Sequence, residues 1–230
     1  MLMYIQSDRM VTVVKIGGSL SEEPNILVHL CNKLNIFSKD HDITIVPGGG
    51  NFADTVRYLY DKFKLSDEIA HKMAILAMDQ YGLLLKDLIK KAFLTYSLKN
   101  ALKASKRRIL SIVLPSRIIF SLDPLEHSWK VTSDSISAFI ASSLKAKKLI
   151  LVKDVDGIFT SDPKRSSARM FKNVSANKLL REKLGCVDEF LPRILIEKQL
   201  ICYVVNGKHP NRIKSILEGK RDIYTKINPF

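Results

Sequence analysis

Two glycine turns, each closing a β-branched run, are the parts of this sequence best suited to hold an anion. The first run, Val11–Ile16, leads into Lys15-Ile16-Gly17-Gly18-Ser19, which sets a cation at a strand end beside glycines that let backbone amides come close to a phosphate. The second, Asp42–Val46, ends in Pro47-Gly48-Gly49-Gly50-Asn51 and passes straight into a helical pattern, so unpaired N–H groups and the positive end of a helix dipole face whatever lies above. Parallel strands share one carboxyl edge, so both turns can converge on a single transferring phosphoryl group. Neither turn is a G-x-x-x-x-G-K-[ST] loop or a G-x-G-x-x-G fingerprint, and a strand followed by two glycines is by itself common.

The second half holds two further candidates. Val131-Thr132-Ser133-Asp134 opens a helical stretch, where ordinary N-capping accounts for any one of the polar residues. The stretch 151–163, LVKDVDGIFTSDP, reads as a strand followed by an Asp-Gly turn and a Ser-Asp-Pro turn, with Lys164 and Arg165 behind it.

The elements that must position these residues alternate from residue 11 onward. Strand candidates Val11–Ile16, Asp42–Val46, Ile109–Val113, Lys148–Lys153 and Ile201–Val205 are separated by helical intervals at 23–37, 51–63, 67–95, 134–145 and 210–218. Alternation of this kind predicts an α/β protein with parallel strands covered by helices on both faces. The longest helix starts after a cap at Ser66, with Asp67 and Glu68 favoured by the dipole in its first turn. Ile69, Met73, Leu76, Ala77, Leu84 and Leu88 recur at helical spacing as one buried stripe, and Ile75, Met78 and Leu85 beside Gly82 form a second line. Such a helix belongs either to the core or to a subunit interface, and periodicity does not separate the two.

Composition sets the outer bounds. A chain of 230 residues with ordinary apolar and charged content can build its own core without staples. Cys31, Cys186 and Cys202 lack zinc-ligand or C-x-x-C spacing and read as reduced thiols. No apolar run is long enough to span a bilayer and the start lacks a signal-peptide pattern, so a cytoplasmic protein without membrane partners is expected. The net charge of +14 attracts phosphates in general. Its densest run, Lys99 to Arg108, reads as a solvated helix end and loop, and without a nucleic-acid-binding motif no nucleic-acid partner is expected. Residues 1–10 read as an N-terminal extension and 11–230 as one domain, with an acceptor half at about 11–125 and a nucleotide half at about 126–230.

Taken together and in order, VVKIGGS, IVPGGGNFAD, VTSDSISAFIA and LVKDVDGIFTSDP resemble the amino-acid-kinase superfamily over about residues 11–218. The resemblance implies a three-layer αβα sandwich with a mainly parallel central sheet, and a homodimer or higher homo-oligomer. It implies ATP as phosphoryl donor, Mg²⁺ as cofactor held by no protein metal site, and a small phosphorylated acceptor. Carried over by position, Lys15 would hold the transferring phosphoryl group, Asp134 would orient the active-site lysines, and Lys164 would be the second cation. Gly17, Gly18, Ser19, Lys153, Asp154, Asp156, Gly157, Phe159, Asp162 and Pro163 would form the nucleotide side. Gly48, Gly49, Gly50 and Asn51 would cradle the acceptor.

A finer likeness lies in 65–85, 128–135 and 186–195, which are similar to the kinases of methanofuran biosynthesis that convert [5-(aminomethyl)furan-3-yl]methyl phosphate to its diphosphate. Pro47 replaces the histidine that precedes the triple glycine in several superfamily members. Asp188-Glu189-Phe190-Leu191 replaces a Gly-Gly-Met stretch, so the acceptor site is rebuilt. An acceptor with both phosphate and ammonium needs a cation at one end and a carboxylate or aromatic face at the other. Arg57 is the candidate for the phosphate, and Asp54, Asp79, Asp188, Tyr81 and Trp129 for the ammonium. His71 reads as an ordinary helix residue. The competing readings are a uridylate kinase, whose triple glycine is also followed by Asn, and a non-catalytic nucleotide- or oxyanion-binding protein.

Overall fold

The computed structural model describes residues 11–182 and 184–230; the expected extension at 1–10 lies outside them. The strands are β1 (Thr12–Ile16), β2 (Ile43–Pro47), β3 (Phe93–Thr95), β4 (Ser111–Val113), β5 (Lys148–Lys153), β6 (Asn173–Ser175), β7 (Ile201–Asn206) and β8 (Thr225–Asn228). They form one sheet in the order β3-β4-β2-β1-β5-β7-β8-β6, parallel except where β8 runs against β7. The helices are α1 (Pro24–Phe37), α2 (Gly50–Phe63), α3 (Asp67–Leu88), α4 (Leu98–Lys106), α5 (Ser116–Leu122), α6 (Ser133–Ser143), α7 (Ala176–Glu182), α8 (Leu191–Glu197) and α9 (Asn211–Glu218). Among the described residues, no helix is long and apolar enough to cross a membrane.

Strand β1 lies at the centre, paired with β2 on one side and β5 on the other. The chain builds outward from β1 to β2 and later returns to its other side as β5, which makes the carboxyl ends of β1 and β5 a topological switch point. Alternation along the strands sends Val13, Lys15, Leu149 and Leu151 toward one face, where they meet Ile136 and Ile140 of α6. Val14, Ile16, Ile150 and Val152 point the other way, to Leu27, Leu30 and Leu34 of α1 and Ile213 of α9. This is the expected three-layer arrangement.

Helix α3 departs from expectation in two ways. It ends at Leu88, and Phe93–Thr95 instead pairs with β4, starting with a bond from the Phe93 N–H to the Leu110 carbonyl. Sheet pairing overrides the apolar helical spacing in that segment. The stripe expected to be buried is largely outside: Ile69, Leu76 and Leu84 are exposed, as is Leu83, while Ala77 is buried. The second line is the buried one, with Ile75 and Met78 packing on the layer of α6 and Tyr81 and Leu85 on the layer of α1. Because α3 passes beyond the edge of the sheet, its two halves serve opposite layers. Periodicity shows that a stripe exists, but the crossing of the sheet edge selects which stripe is covered. The short strands β3, β6 and β8 lie at or next to the sheet margins, and their three or four residues carry no periodic signal.

Candidate active site

The register pairs Ile16 with both Pro47 and Val152, so the turns after β1, β2 and β5 emerge side by side. Their contact is backbone to backbone: a Cβ on Gly18 would fall 2.0 Å from the Gly50 nitrogen, and Gly50 itself has a φ of +57°. Any side chain at Gly18 would force the two turns apart. The Gly17 and Gly48 amides donate to the Val152 and Ile16 carbonyls at 2.7 and 2.9 Å, extending the sheet instead of facing a ligand. The amides of Gly18, Ser19, Gly49 and Gly50 have no acceptor among the described hydrogen bonds. Gly49 and Gly50 open α2, where no side chain caps the first turn, so donors and dipole point at one place.

Over this place stand two lysines and one carboxylate. Lys15 Nζ lies 2.9 Å from Asp134 Oδ1, and Lys153 Nζ donates to Asp134 Oδ2 at 2.7 Å. Lys15 is 5% exposed and Asp134 2% exposed. The Lys15 contact is an ion pair without hydrogen-bond alignment, so its N–H groups remain able to turn toward a phosphoryl oxygen. Burial pushes the Asp134 carboxyl up, but the two ammonium groups outweigh it and hold the group well below the usual carboxylate range. Burial lowers Lys15; desolvation of the partly buried Lys153 also pulls its pKa down, but attraction to Asp134 raises it on balance. The trio is a fixed cluster of net positive charge.

Asp134 is placed by a second carboxylate. Asp188 accepts from the Thr132 N–H and hydroxyl, the Ser135 N–H and hydroxyl, and the N–H groups of Phe190 and Leu191. Six donors saturate it, which corrects its expected role at the acceptor's ammonium. It ties the start of α8 to the first turn of α6. Burial raises its pKa against these hydrogen bonds.

Two cavities meet at Lys15, Gly18, Ser19 and Lys153. The larger, about 510 Å³, brings together Gly17, Asp154, Gly157, Phe159, Asp162 and Pro163 from the set assigned by resemblance to the nucleotide. Asp156 is not in that wall; it accepts from Asn206 at 3.0 Å and pairs with Arg212, which pins the 154–157 turn to α9. Lys164 is exposed in the 162–165 turn, away from both walls, so the second cation beside Asp134 is Lys153. Spacing did not distinguish them, because only the sheet brings the end of β5 next to β1.

The smaller cavity, about 280 Å³, is lined by Gly49, Gly50, Asp54, Arg57 and Trp129 among the expected residues. Gly48 lies behind them, and Asn51 is exposed outside the wall. Arg57 pairs with Asp54 at 2.6 Å and sits 5.0 Å from the centre of the Trp129 ring. Asp79 is buried and accepts from the Ser116 N–H and hydroxyl, so it anchors the start of α5. Tyr81 is fully buried and donates to the Gly17 carbonyl at 3.3 Å, supporting the first glycine turn from below. Neither lines this smaller cavity. Glu22, Asp67 and His71 line it too; sequence reasoning passed over Glu22, placed Asp67 in the first turn of α3 and took His71 for a helix residue with a satisfied ring, whereas its Nε2 has no hydrogen-bond partner among the described residues. Asp67, His71, Ala74, Ile75 and Met78 share one helix face, a pattern that could have been found by asking which side of α3 mixes polar and apolar residues.

Among the described residues, no group of three or more His, Cys, Asp or Glu side chains could hold a metal ion. Residues 10–224 match the amino acid kinase family. The chain belongs to the amino acid kinase family. Over 219 residues it is 38% identical to the [5-(aminomethyl)furan-3-yl]methyl phosphate kinase of Methanocaldococcus jannaschii, covering 94% of this chain and 96% of that one. The uridylate kinase of Pyrococcus abyssi is 25% identical over 224 residues, covering 91% and 96%. In fold, the chain superposes on the UMP kinase of Ureaplasma parvum with a TM-score of 0.77 at 22% identity, covering 96% and 99%. For this amino acid kinase, the two cavities and their shared cationic corner are the candidate active site.

Proposed function

We propose that this kinase transfers the γ-phosphoryl group of ATP to the phosphate of [5-(aminomethyl)furan-3-yl]methyl phosphate, giving its diphosphate and ADP, in the cytoplasm. The observation that carries phosphoryl transfer is the cluster of Lys15, Lys153 and four unengaged amides where a large cavity meets a small one. Identity of 38% across nearly the whole of both chains supports the acceptor.

In this reading an acceptor phosphate oxygen attacks the γ-phosphorus in line, a new P–O bond forms, and the bond to the β,γ-bridging oxygen breaks with its electrons leaving on ADP. Phosphoryl transfer asks for positioning and fixed positive charge more than for covalent help. Lys15 and the Gly18 and Ser19 amides meet the transferring group, Gly49 and Gly50 hold the acceptor phosphate, and Lys153 faces the nucleotide phosphates. Asp134 keeps both lysines in place and does not act as a base, since each of its oxygens is ion-paired with a lysine that holds the carboxyl well below the usual carboxylate range. The described residues offer no carboxylate or imidazole cluster for Mg²⁺, so the nucleotide would hold it, and it would supply positive charge that offsets the phosphates. The 11–125 half then serves the acceptor and the 126–230 half the nucleotide.

An ADP-release assay with ATP and Mg²⁺ tests this on three acceptors: the aminomethylfuran phosphate, UMP and isopentenyl phosphate. Turnover is expected to be greatest on the first and lost in Lys15→Ala. Preference for UMP would overturn the acceptor, and no turnover on any would favour a nucleotide-binding protein. The assembly we propose is a homodimer or higher oligomer, supported by the exposed line Ile69, Leu76 and Leu83 at seven-residue spacing on α3.

A further inference from the structure

The segment that joins α5 to α6 supplies one wall of the acceptor cavity through Ser128, Trp129 and Val131, and among the described residues none of its members lines the nucleotide cavity. It is stiff within itself. The Ser128 N–H donates to the Glu126 carbonyl at 3.2 Å and the Val131 N–H to the Ser128 carbonyl at 3.1 Å. The Ser128 hydroxyl donates to Glu126 Oε1 at 2.6 Å and accepts from the Lys130 N–H at 3.3 Å. Residues 126–131 therefore behave as one unit, so fixing one of its side chains fixes the others. Toward its neighbours the unit lacks such ties: among the described hydrogen bonds, none joins residues 124–131 to α2 or α3.

Rings hold it in place instead. Trp129 meets Tyr60 of α2 edge-on, with centroids 5.6 Å apart, and Arg57 of the same helix lies over the indole. His127 stacks on His71 of α3, with centroids 4.8 Å apart and planes at 23°, and its Nε2 lies 2.7 Å from Asp123 Oδ1 at the end of α5. His71 is 7% exposed, whereas the His127 side chain is 27% exposed. The stack thus joins a buried ring, fixed on its helix, to a partly exposed ring two residues from the indole. Leu125 and Val131, on either side, are buried in the core and anchor the ends of the segment independently of the stack.

We infer that His127 is a positioning residue for acceptor binding: its stack on His71 clasps the 126–131 unit to α3 and so holds Trp129 in the wall of the acceptor cavity. Neither imidazole meets the ligand. Without the His127 ring the segment keeps its anchors at Leu125 and Val131, but its middle is released and the indole can swing toward solvent. An acceptor bound against a displaced wall is held less tightly. Lys15, Lys153 and the nucleotide cavity lie outside the reach of this change, so it separates acceptor binding from nucleotide binding and from chemistry.

The inference rests on the smaller cavity taking the acceptor, as in the proposed function, but not on which acceptor that is. Steady-state constants are therefore measured with whichever of the three acceptors the wild type turns over fastest or, if it turns over none, affinities are taken from titrating tryptophan emission. Trp129 is the only tryptophan in the sequence, so its emission reports the wall directly. The variants are His127→Ala, His127→Gln, which keeps a donor for Asp123 without the ring, and His127→Phe, which keeps the ring alone. Acceptor KM is expected to rise about five- to tenfold in the alanine and glutamine variants, the scale of one aromatic pair, with kcat and the KM for ATP within about twofold. His127→Phe should stay near the wild type. Emission of the two ringless variants should shift to the red; His127→Gln carries the test alone if His127→Ala folds poorly. An unchanged acceptor KM in the ringless variants, or equal losses for ATP and acceptor, would overturn the role of His127 while leaving the proposed acceptor standing. Preference for UMP overturns the proposed acceptor and leaves the His127 comparison to run on UMP. A wild type that turns over none of the three, and whose emission none of them alters, would overturn both.

Discussion

At the scale of single residues, the centre is a carboxylate whose task is to hold two cations. Removing it leaves the buried Lys15 beside the partly buried Lys153 without compensation. Asp134→Ala is therefore expected to destabilise the fold by about 3 to 5 kcal/mol, measured by denaturant unfolding, and to abolish turnover. The same linkage has a pH sign. Because the folded pKa of Asp134 is depressed below its unfolded value, its contribution is present above about pH 4 and is lost as the pH falls from there through the folded value. Acid unfolding of the wild type should show that component, and Asp134→Asn should lack it. For the lysines, Lys15→Ala and Lys153→Ala are each expected to lower kcat by about a hundredfold or more, the scale of losing one fixed transition-state donor. Lys164→Ala should leave kcat within about twofold, since its side chain lies outside both cavity walls; an equal loss would mean that the 162–165 turn folds inward during turnover.

At the scale of elements, the two glycine turns work only as a pair. Gly18→Ala should separate the turns after β1 and β2, lowering turnover on the acceptor and thermal stability together, because the clash is with backbone that has no rotamer to yield. Helix α3 has three jobs along its length: its first turns face the acceptor, its middle and later turns pack on both layers, and its outer side stays apolar. If that outer line joins two copies, Leu76→Glu should shift sedimentation toward the monomer while nucleotide affinity persists. Unchanged sedimentation of an oligomeric wild type would place the interface elsewhere. The basic run of Lys99 to Arg108 belongs to α4 and its closing turn, where Arg108 sits 3.4 Å from the buried Asp42. It reads as a solvated face with one structural anchor.

At the scale of the whole molecule, the order of the strands creates the site. Strand β1 leaves the sheet in one direction and β5 arrives on its other side, so the crevice between their carboxyl ends faces the start of α6. The two lysines come from strands more than half of the chain apart and meet only there. The α/β class, the five central strands and the two glycine turns were legible in the sequence because each is a local pattern: alternation, β-branched runs, glycine at a strand end. Lys15 stood out locally as a cation at a strand end beside two glycines, whereas the local pattern around Asp134 reads as an ordinary N-cap and only the family resemblance singled it out. Whether Lys153 or Lys164 stands beside Asp134, whether Asp188 meets a ligand or six internal donors, which side of α3 is covered, and that His71 is buried with an unpaired nitrogen were decided by tertiary structure alone. Those outcomes depend on what lies across the sheet or the cavity from a residue, and local spacing carries no record of that distance.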